Sequence, residues 1–534
     1  MDNLLWWRDG VIYQIYTRSF ADSNDDGLGD LPGIISHLDY LVELGVDALW
    51  LSPVYPSPDK DFGYDVSDYC DIDPRFGTLK DFDVLLQEAH RRGLRIIMDL
   101  VLNHTSDQHP WFRESRSSRD NSKRDWYIWR DKPNNWQSVL TGSAWELDPI
   151  TGQYFLHSFV KEQPDVNWRN PELRRAMLDV FRFWLERGVD GFRLDVFNLY
   201  FKDELFRDNP PQFGLRGYDR QQHIYDCDRP EMIPLLNEIR RLLDSYPERY
   251  SVGETHLSSP EKAFSYCGPD RLHAAFSFFI NPTVLFGPFS LKQLRQEIER
   301  REQTAADRVW PTVVLSNHDM PRIASRYGKG EEDESLKVML TQLFTLRGTP
   351  FLYFGEEVGM RDISLRRNEI LDPAGKLYWP FYKGRDGSRA PMQWDDSPLA
   401  GFSSTQPWLP VHPDYPQRNL SAQRLDPDSL FNFTKKLIAL RREYPALRQG
   451  SFRFVSSPSN KGLAYLRECD GQSILVALNF TARRITLPTL EDAGLAGRNW
   501  SLLFSSVDRS SDEVEVTRLS LAPYEVCILV SENH

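Results

Sequence analysis

Cysteine is scarce in this chain and carries no pattern. Cys70, Cys227, Cys267, Cys469 and Cys527 are odd in number and never spaced as Cys-x-x-Cys. That excludes a disulfide framework and a thiolate zinc site, and fits thiols kept reduced in a cytoplasm. No apolar run reaches the length of about 18 residues that a spanning helix needs, so no membrane segment is expected. The first residues, Met1-Asp-Asn-Leu-Leu-Trp-Trp-Arg-Asp9, lack a basic stretch followed by an apolar core, so no signal peptide is expected and the expected compartment is cytoplasmic. Positive charge is short as well. With 64 Lys and Arg against 77 Asp and Glu, the net charge is −13, which argues against nucleic-acid and anionic-membrane partners. No Gly-x-Gly-x-x-Gly or phosphate loop opens a helix, so a dinucleotide fold loses ground.

What is present is size, aromatics and a recurring unit. A chain of 534 residues exceeds one ordinary core, so one large domain with smaller additions is expected. Its 15 Trp, 22 Tyr and 31 Phe serve mostly as core, although flat rings also stack on sugars. The unit is an amphipathic helix, a glycine stop and a short apolar strand. Ile34, Leu38, Leu41 and Val42 precede Gly45 and the strand 46–53; residues 79–92 precede Gly93 and the strand 94–99. Asn170 and Pro171 start a helix with Leu173, Met177, Phe181, Trp184 and Leu185 on one face, which Gly188 ends before a strand that runs to Asp195. Residues 338–354 repeat the plan. Such alternation implies βαβ units and a parallel sheet; a doubly wound sheet and a (β/α)8 TIM barrel both fit, and functional-looking residues at the ends of several strands favour the barrel. From His104 to Trp168 the pattern breaks, consistent with an inserted subdomain after the third strand. Past 458 the helices give way to short strands of a C-terminal antiparallel β-sandwich. The expected domains are therefore 1–103 and 169–457 for the barrel, 104–168 for the insert, and 458–534 for the terminal domain.

The hexapeptide from Gly191 to Val196 is the most informative stretch. Arg193 and Asp195 lie two apart in a strand and so share a face. A guanidinium there would hold the carboxylate ionised, as a nucleophile at a barrel strand's C-terminal end requires; a structural ion pair at a strand end is the equal alternative. Other carboxylates stand near strand ends: Asp99, read as a satisfied buried group, Glu254 in Val252-Gly-Glu-Thr-His256, and Asp319 in Ser316-Asn-His-Asp319. His104 and His318 accompany two of them. Acetal hydrolysis needs one carboxyl protonated and one ionised, which neighbouring carboxylates and partial burial provide. A second pattern, Asp22-Ser-Asn-Asp-Asp26-Gly-Leu28-Gly-Asp30, spaces oxygens as an EF-hand loop begins. Its twelfth position is Gly33 and not Glu, so it is either an ion-binding loop or a polar turn.

These motifs, in this order and over nearly the whole length, resemble the α-amylase superfamily (glycoside hydrolase family 13), and more closely its α-glucosidase and oligo-1,6-glucosidase branch. Residues 99–104, 191–196, 253–254 and 316–319 are similar to the family's four conserved regions, and 163–168 to the branch marker that ends the insert. The resemblance implies a retaining, exo-acting α-glucosidase that releases glucose from short α-1,4- or α-1,6-glucosides. Asp195 would be the nucleophile, Glu254 the acid/base, and Asp319 the holder of the 2- and 3-hydroxyls. Arg193, His104 and His318 would orient them, with Tyr64 stacked on the sugar. Asp61 and Arg389 would be the pair at the terminal 4-hydroxyl, and Phe159 and Gln163 further pocket residues. In the loop, Asp22, Asn24, Asp26, Asp30 and the Leu28 carbonyl would hold a structural Ca2+ or Mg2+, with no organic cofactor. Val196, after the nucleophile, leans toward α-1,6 bonds, while the 61–64 and 198–203 contexts resemble α-1,4-acting relatives; both linkages are expected to be cleaved. The expected partner is a small saccharide, met by a monomer or homodimer. The alternatives are a glucosyltransferase or sucrose isomerase on the same scaffold and, remotely, a non-catalytic transporter subunit. The last lacks its spanning helix here, and all three carboxylates are kept.

Overall fold

Short, fully buried apolar strands can pair only with one another, and eight of them do. The computed structural model describes residues 4–532 except 257, 277–289, 307, 329–332, 489–493, 496, 510–515 and 517. Its parallel strands are β1 (Ile12–Ile15), β2 (Ala48–Leu51), β3 (Arg95–Leu100), β4 (Gly191–Leu194), β5 (Tyr250–Gly253), β6 (Ala274–Ala275), β7 (Thr312–Val314) and β8 (Thr349–Tyr353). They form one eight-stranded sheet ordered β6-β5-β4-β3-β2-β1-β8-β7. Thr312 Oγ1 donates to the Ala275 carbonyl at 3.4 Å, so the two ends of the list face each other and the sheet curls into a TIM barrel.

The helices that wrap it follow from local chemistry. Asn170 accepts from the amides of Glu172 and Leu173, Pro171 occupies the first turn of Pro171–Arg187, and Gly188 ends the helix at φ +111°. Its buried face holds Leu173, Met177, Phe181, Trp184 and Leu185, the residues that the periodicity picks out. Each such side chain contributes about 1.5–3 kcal/mol of burial. The first unit differs from its expected form. His37 interrupts it, giving Leu31–Ser36 and Leu38–Leu44, and Val42 turns outward at 43% exposure.

Between β3 and the helix Pro171–Arg187 the chain makes a short helix, Pro110–Ser117, and small antiparallel pairs, such as Trp145–Leu147 with Tyr154–Leu156. It returns to the barrel where Val166 N donates to the Asn103 carbonyl at 3.0 Å. The terminal antiparallel sheet starts at β9 (Ser451–Phe454), before the 458 boundary that the loss of helical period suggests, because β9 pairs with β10 (Gly462–Cys469). With β11 (Gln472–Asn479), β13 (Ser501–Ser505) and β15 (Val526–Glu532) it makes five strands, while β12 (Ile485–Pro488) pairs with β14 (Arg518–Leu521). Along β11, Ile474, Val476 and Leu478 join the barrel-side core and Leu475 and Ala477 the domain's own. A strand buried on both faces shows continuous rather than alternating hydrophobicity, as β11 does. No described helix is long and apolar enough to cross a membrane.

Candidate active site

The strand register brings Asp99 on β3 opposite Arg193 on β4. Pairing continues one residue beyond the strands, with Asp195 N donating to Leu100 O at 3.0 Å and Glu254 N to Leu194 O at 2.9 Å. Three strand ends therefore aim carboxylates at one guanidinium. Arg193 Nη1 donates to Asp99 at 2.6 Å and to Asp195 at 2.7 Å, and Nη2 donates to Glu254. Asp99 is thus a full member of the site as well as a satisfied buried group. Gly253 makes room for this: a Cβ there would lie 2.3 Å from the Phe197 ring. The margin of ionisation is narrower than Arg193 alone would give. Burial outweighs the attraction of Arg193 and pushes the Asp195 carboxyl up to about 6, with Asp99 adding to the rise. Asp195 remains mostly ionised at neutral pH, but only by about a unit.

One wall is a hydrogen-bond relay. Gln14 Nε2 can only donate, and lies 2.8 Å from His318 Nδ1; the remaining His318 Nε2–H then meets Tyr64 Oη at 2.7 Å. Tyr64 passes its own proton toward Asp99 at 3.2 Å. Burial holds the His318 imidazole down to about 3, so it stays neutral and keeps this tautomer. The Tyr64 ring lies parallel to His318, with centroids 5.4 Å apart. His104 Nε2 donates to the Tyr64 carbonyl at 3.0 Å, and Gln163 Nε2 to Asp61 at 3.2 Å. Trp50 closes the base, with Nε1 3.3 Å from Asp99 and its ring 5.3 Å from the Arg193 guanidinium.

The opposite wall corrects one expected pairing. The cation at Asp61 is Arg385, whose Nη2 donates to Oδ1 at 2.7 Å. Arg389 is instead fully buried and locked elsewhere, with Nε on the His318 carbonyl at 2.8 Å and Nη2 on Asp319 at 2.7 Å. Arg385 also reaches Asp319 at 3.4 Å and pairs with Asp372. Arg389 cannot serve both carboxylates because its fork is already anchored on backbone. Burial alone would raise the Asp319 carboxyl, but His318, Arg385 and Arg389 override it and hold the group well below the carboxylate range. Arg385, Gln14 and Trp50 were not legible as site residues. A second arginine four positions before Arg389 was the one available signal.

Val196 follows Asp195 at φ +33°, a left-handed conformation costly for a β-branched residue, of order 1–3 kcal/mol. Phe159 packs on the small cluster that Val196 makes with Leu199 and Cys227, and lies 5.3 Å from His104. The expected site residues thus share one region at the C-terminal ends of the strands. The ion-loop candidates stand apart, on the connection after β1. There Asp22 accepts from the amides of Asn24, Asp25 and Gly27, Asn24 from Asp26, and Asp26 from Leu28. Gly27 turns at φ +88°, where a Cβ would strike the Gln406 carbonyl at 2.5 Å. The donor set is all oxygen and suits a hard cation. However, Asp30 spends its oxygens on Gly33 N and Ser23, and no described cluster of three or more His, Cys, Asp or Glu is placed to hold a metal. The oxygen set suits a hard cation in kind, with Asp22, Asn24, Asp26 and Asp30 each also accepting nearby backbone amides.

Comparison with known proteins agrees along the whole chain. The pattern described as "Alpha amylase, catalytic domain" matches residues 14–450, and that of "Maltogenic Amylase, C-terminal domain" matches 452–528. A probable alpha-glucosidase of Rhizobium meliloti is 44% identical over 503 residues, 90% of each chain. The oligo-1,6-glucosidase of Parageobacillus thermoglucosidasius is 40% identical over 555 residues, 98% of each. Among solved structures, the alpha-glucosyl transfer enzyme XgtA superposes with a TM-score of 0.93 at 42% identity, covering 99% of this chain and 100% of that one.

Proposed function

The chain belongs to the α-amylase family of glycoside hydrolases, and from that premise we propose that it is a retaining, exo-acting α-glucosidase, releasing glucose from the non-reducing end of short α-1,4- and α-1,6-glucosides. Asp195 attacks the anomeric carbon and forms a covalent glucosyl-enzyme, while Glu254 protonates the departing oxygen and then activates water. Asp319, kept anionic by Arg385 and Arg389, takes the 2- and 3-hydroxyls. Asp61 and Arg385 close the pocket at the terminal 4-hydroxyl. Tyr64, His104, His318, Phe159 and Gln163 shape the sugar's walls.

The observation that carries this is the single guanidinium of Arg193 on Asp99, Asp195 and Glu254, because it aligns nucleophile and acid on one rigid set of strand ends. Maltose, isomaltose, sucrose, trehalose and longer maltosaccharides, with products identified, test it. Hydrolysis of maltose with none of isomaltose would remove the dual linkage. An Asp195→Ala protein that cleaved p-nitrophenyl α-glucoside as well as wild type would remove the mechanism.

A second outcome is transfer of the glucosyl group to a sugar hydroxyl in place of water, favoured by the close likeness to an alpha-glucosyl transfer enzyme. Product analysis at high sugar concentration separates the two. The loop 22–30 is read as holding a structural Ca2+ or Mg2+ through Asp22, Asn24, Asp26, Asp30 and the Leu28 carbonyl. The ion would brace the β1 connection and take no part in the chemistry. A cytoplasmic monomer or homodimer is the companion proposal. Five cysteines, none in a disulfide, support the compartment, and light scattering with cell fractionation tests both.

A further inference from the structure

Lys202 takes no part in the chemistry above, yet its ammonium is 2% exposed and meets three loops that shape the pocket. It lies 3.0 Å from Asp165 Oδ2 and donates to Ser158 Oγ at 3.1 Å, both in the insert. On the other side it donates to the Leu199 carbonyl at 2.5 Å, at the end of the short turn Phe197–Leu199 that follows Asp195 and Val196. A longer contact, 3.4 Å, reaches Asn103 Oδ1, next to His104. Asp165 is equally buried. It takes the amide and hydroxyl of Ser158 at 2.8 and 2.5 Å, and its backbone bridges to His104.

These contacts bracket two residues of opposite origin. Ser158 immediately precedes Phe159, on the insert. Leu199 ends the turn that Val196 begins, on the barrel. Phe159 packs against the cluster of Val196, Leu199 and Cys227, so the separation of insert and barrel at this point is the separation of Phe159 from Val196. A lysine suits the task because its compact charge serves several oxygens from different directions, whereas an arginine fork favours coplanar ones. The left-handed backbone at Val196 is costly for a β-branched residue and persists only where the surrounding structure holds it.

We propose that Lys202 is a positioning residue for linkage specificity: by tying Asp165 and Ser158 to the Leu199 carbonyl it sets the gap between Phe159 and Val196, and so which orientation of the leaving sugar the pocket accepts. This rests on the α-glucosidase function above. Removing Lys202 alone strands the buried Asp165 charge, so the decisive variant is Lys202→Met combined with Asp165→Asn, which removes both charges.

The double variant is expected to melt as a folded protein and to keep kcat on p-nitrophenyl α-glucoside within about three-fold of wild type. Its ratio of kcat/KM for maltose to that for isomaltose should change by about five-fold or more, mainly through KM. Lys202→Arg, which keeps the charge but replaces the compact ammonium with a planar fork, should shift the ratio in the same direction by less than the double variant does. A folded double variant with the wild-type ratio overturns the proposal, as does an equal loss on all three substrates, which marks general scaffolding. A wild-type enzyme that cleaves neither disaccharide overturns the α-glucosidase function and the proposal with it.

Discussion

Arg385 and Asp61 are 324 positions apart in the chain, and Nη2 of the first donates to Oδ1 of the second at 2.7 Å. The same guanidinium also serves Asp319 and Asp372. Arg385→Met therefore leaves three acids without their shared cation. Truncating one partner of a buried charge pair costs about 2–5 kcal/mol, so kcat/KM for maltose should fall by roughly 10²–10³. Steady-state kinetics would check this, and an unchanged KM would contradict the role of Arg385 at the terminal hydroxyl.

Asp195 titrates in a useful range. Attack requires the ionised form, so kcat/KM should rise with pH through about 6 and level off above it. Stability should run the other way. The folded carboxyl binds its proton more tightly than the unfolded one, so between about 4 and 6 the folded state loses stability as pH rises. Asp195→Asn should thus melt higher than wild type at pH 7, with the gain gone below about pH 4, while turnover drops by about 10⁴. Differential scanning calorimetry at the two pH values decides it, and an equal Tm difference at both would refute the coupling.

The loop 22–30 gives a separable test. Chelation, or Asp26→Ala, should lower Tm by a few degrees and leave kcat at 25 °C within about two-fold, because no described hydrogen bond of the loop reaches Asp195, Glu254 or Asp319. Metal analysis that finds no bound ion, with no melting shift on chelation, would leave the loop as a polar turn.

Val196→Thr keeps the β-branch and shape but adds a hydroxyl among Leu199, Cys227 and Phe159. The expected result is a fall in isomaltose kcat/KM relative to maltose by about 10-fold, within what one small group is worth in a pocket. Equal effects on both sugars would show that this residue does not read the linkage.

The barrel was legible because its signals are local. Asn170, Pro171 and Gly188 mark a helix whose buried face follows the 3.6-residue period, and β4 follows at once. Arg193 and Asp195 could be paired from the two-residue repeat of a strand. Arg385 could not, since nothing within a window of sequence says which of two arginines four apart reaches Asp61. That choice is made by the His318 carbonyl, which anchors Arg389 first. The upward shift of the Asp195 carboxyl was out of reach for a related reason. Its neighbour Arg193 is visible in the sequence, but the burial that outweighs it, and the sharing of that cation with Asp99, arise only from β3 and β5 on either side.

Among the described residues, Asp61, Asp99, Asp195, Glu254, Asp319 and Asp372 share three arginines, Arg193, Arg385 and Arg389, in ion pairs at this site. With its carboxylates ionised, such a cavity is an electrostatic well for a positive guest, which is what a sugar ring becomes as its leaving group departs. The well does not distinguish how the charge is carried. Polyhydroxylated amines, protonated at neutral pH, should occupy it as competitive inhibitors, so Tris buffer should raise the apparent KM relative to phosphate, and kinetics in the two buffers at matched pH and ionic strength would measure the depth of that well directly.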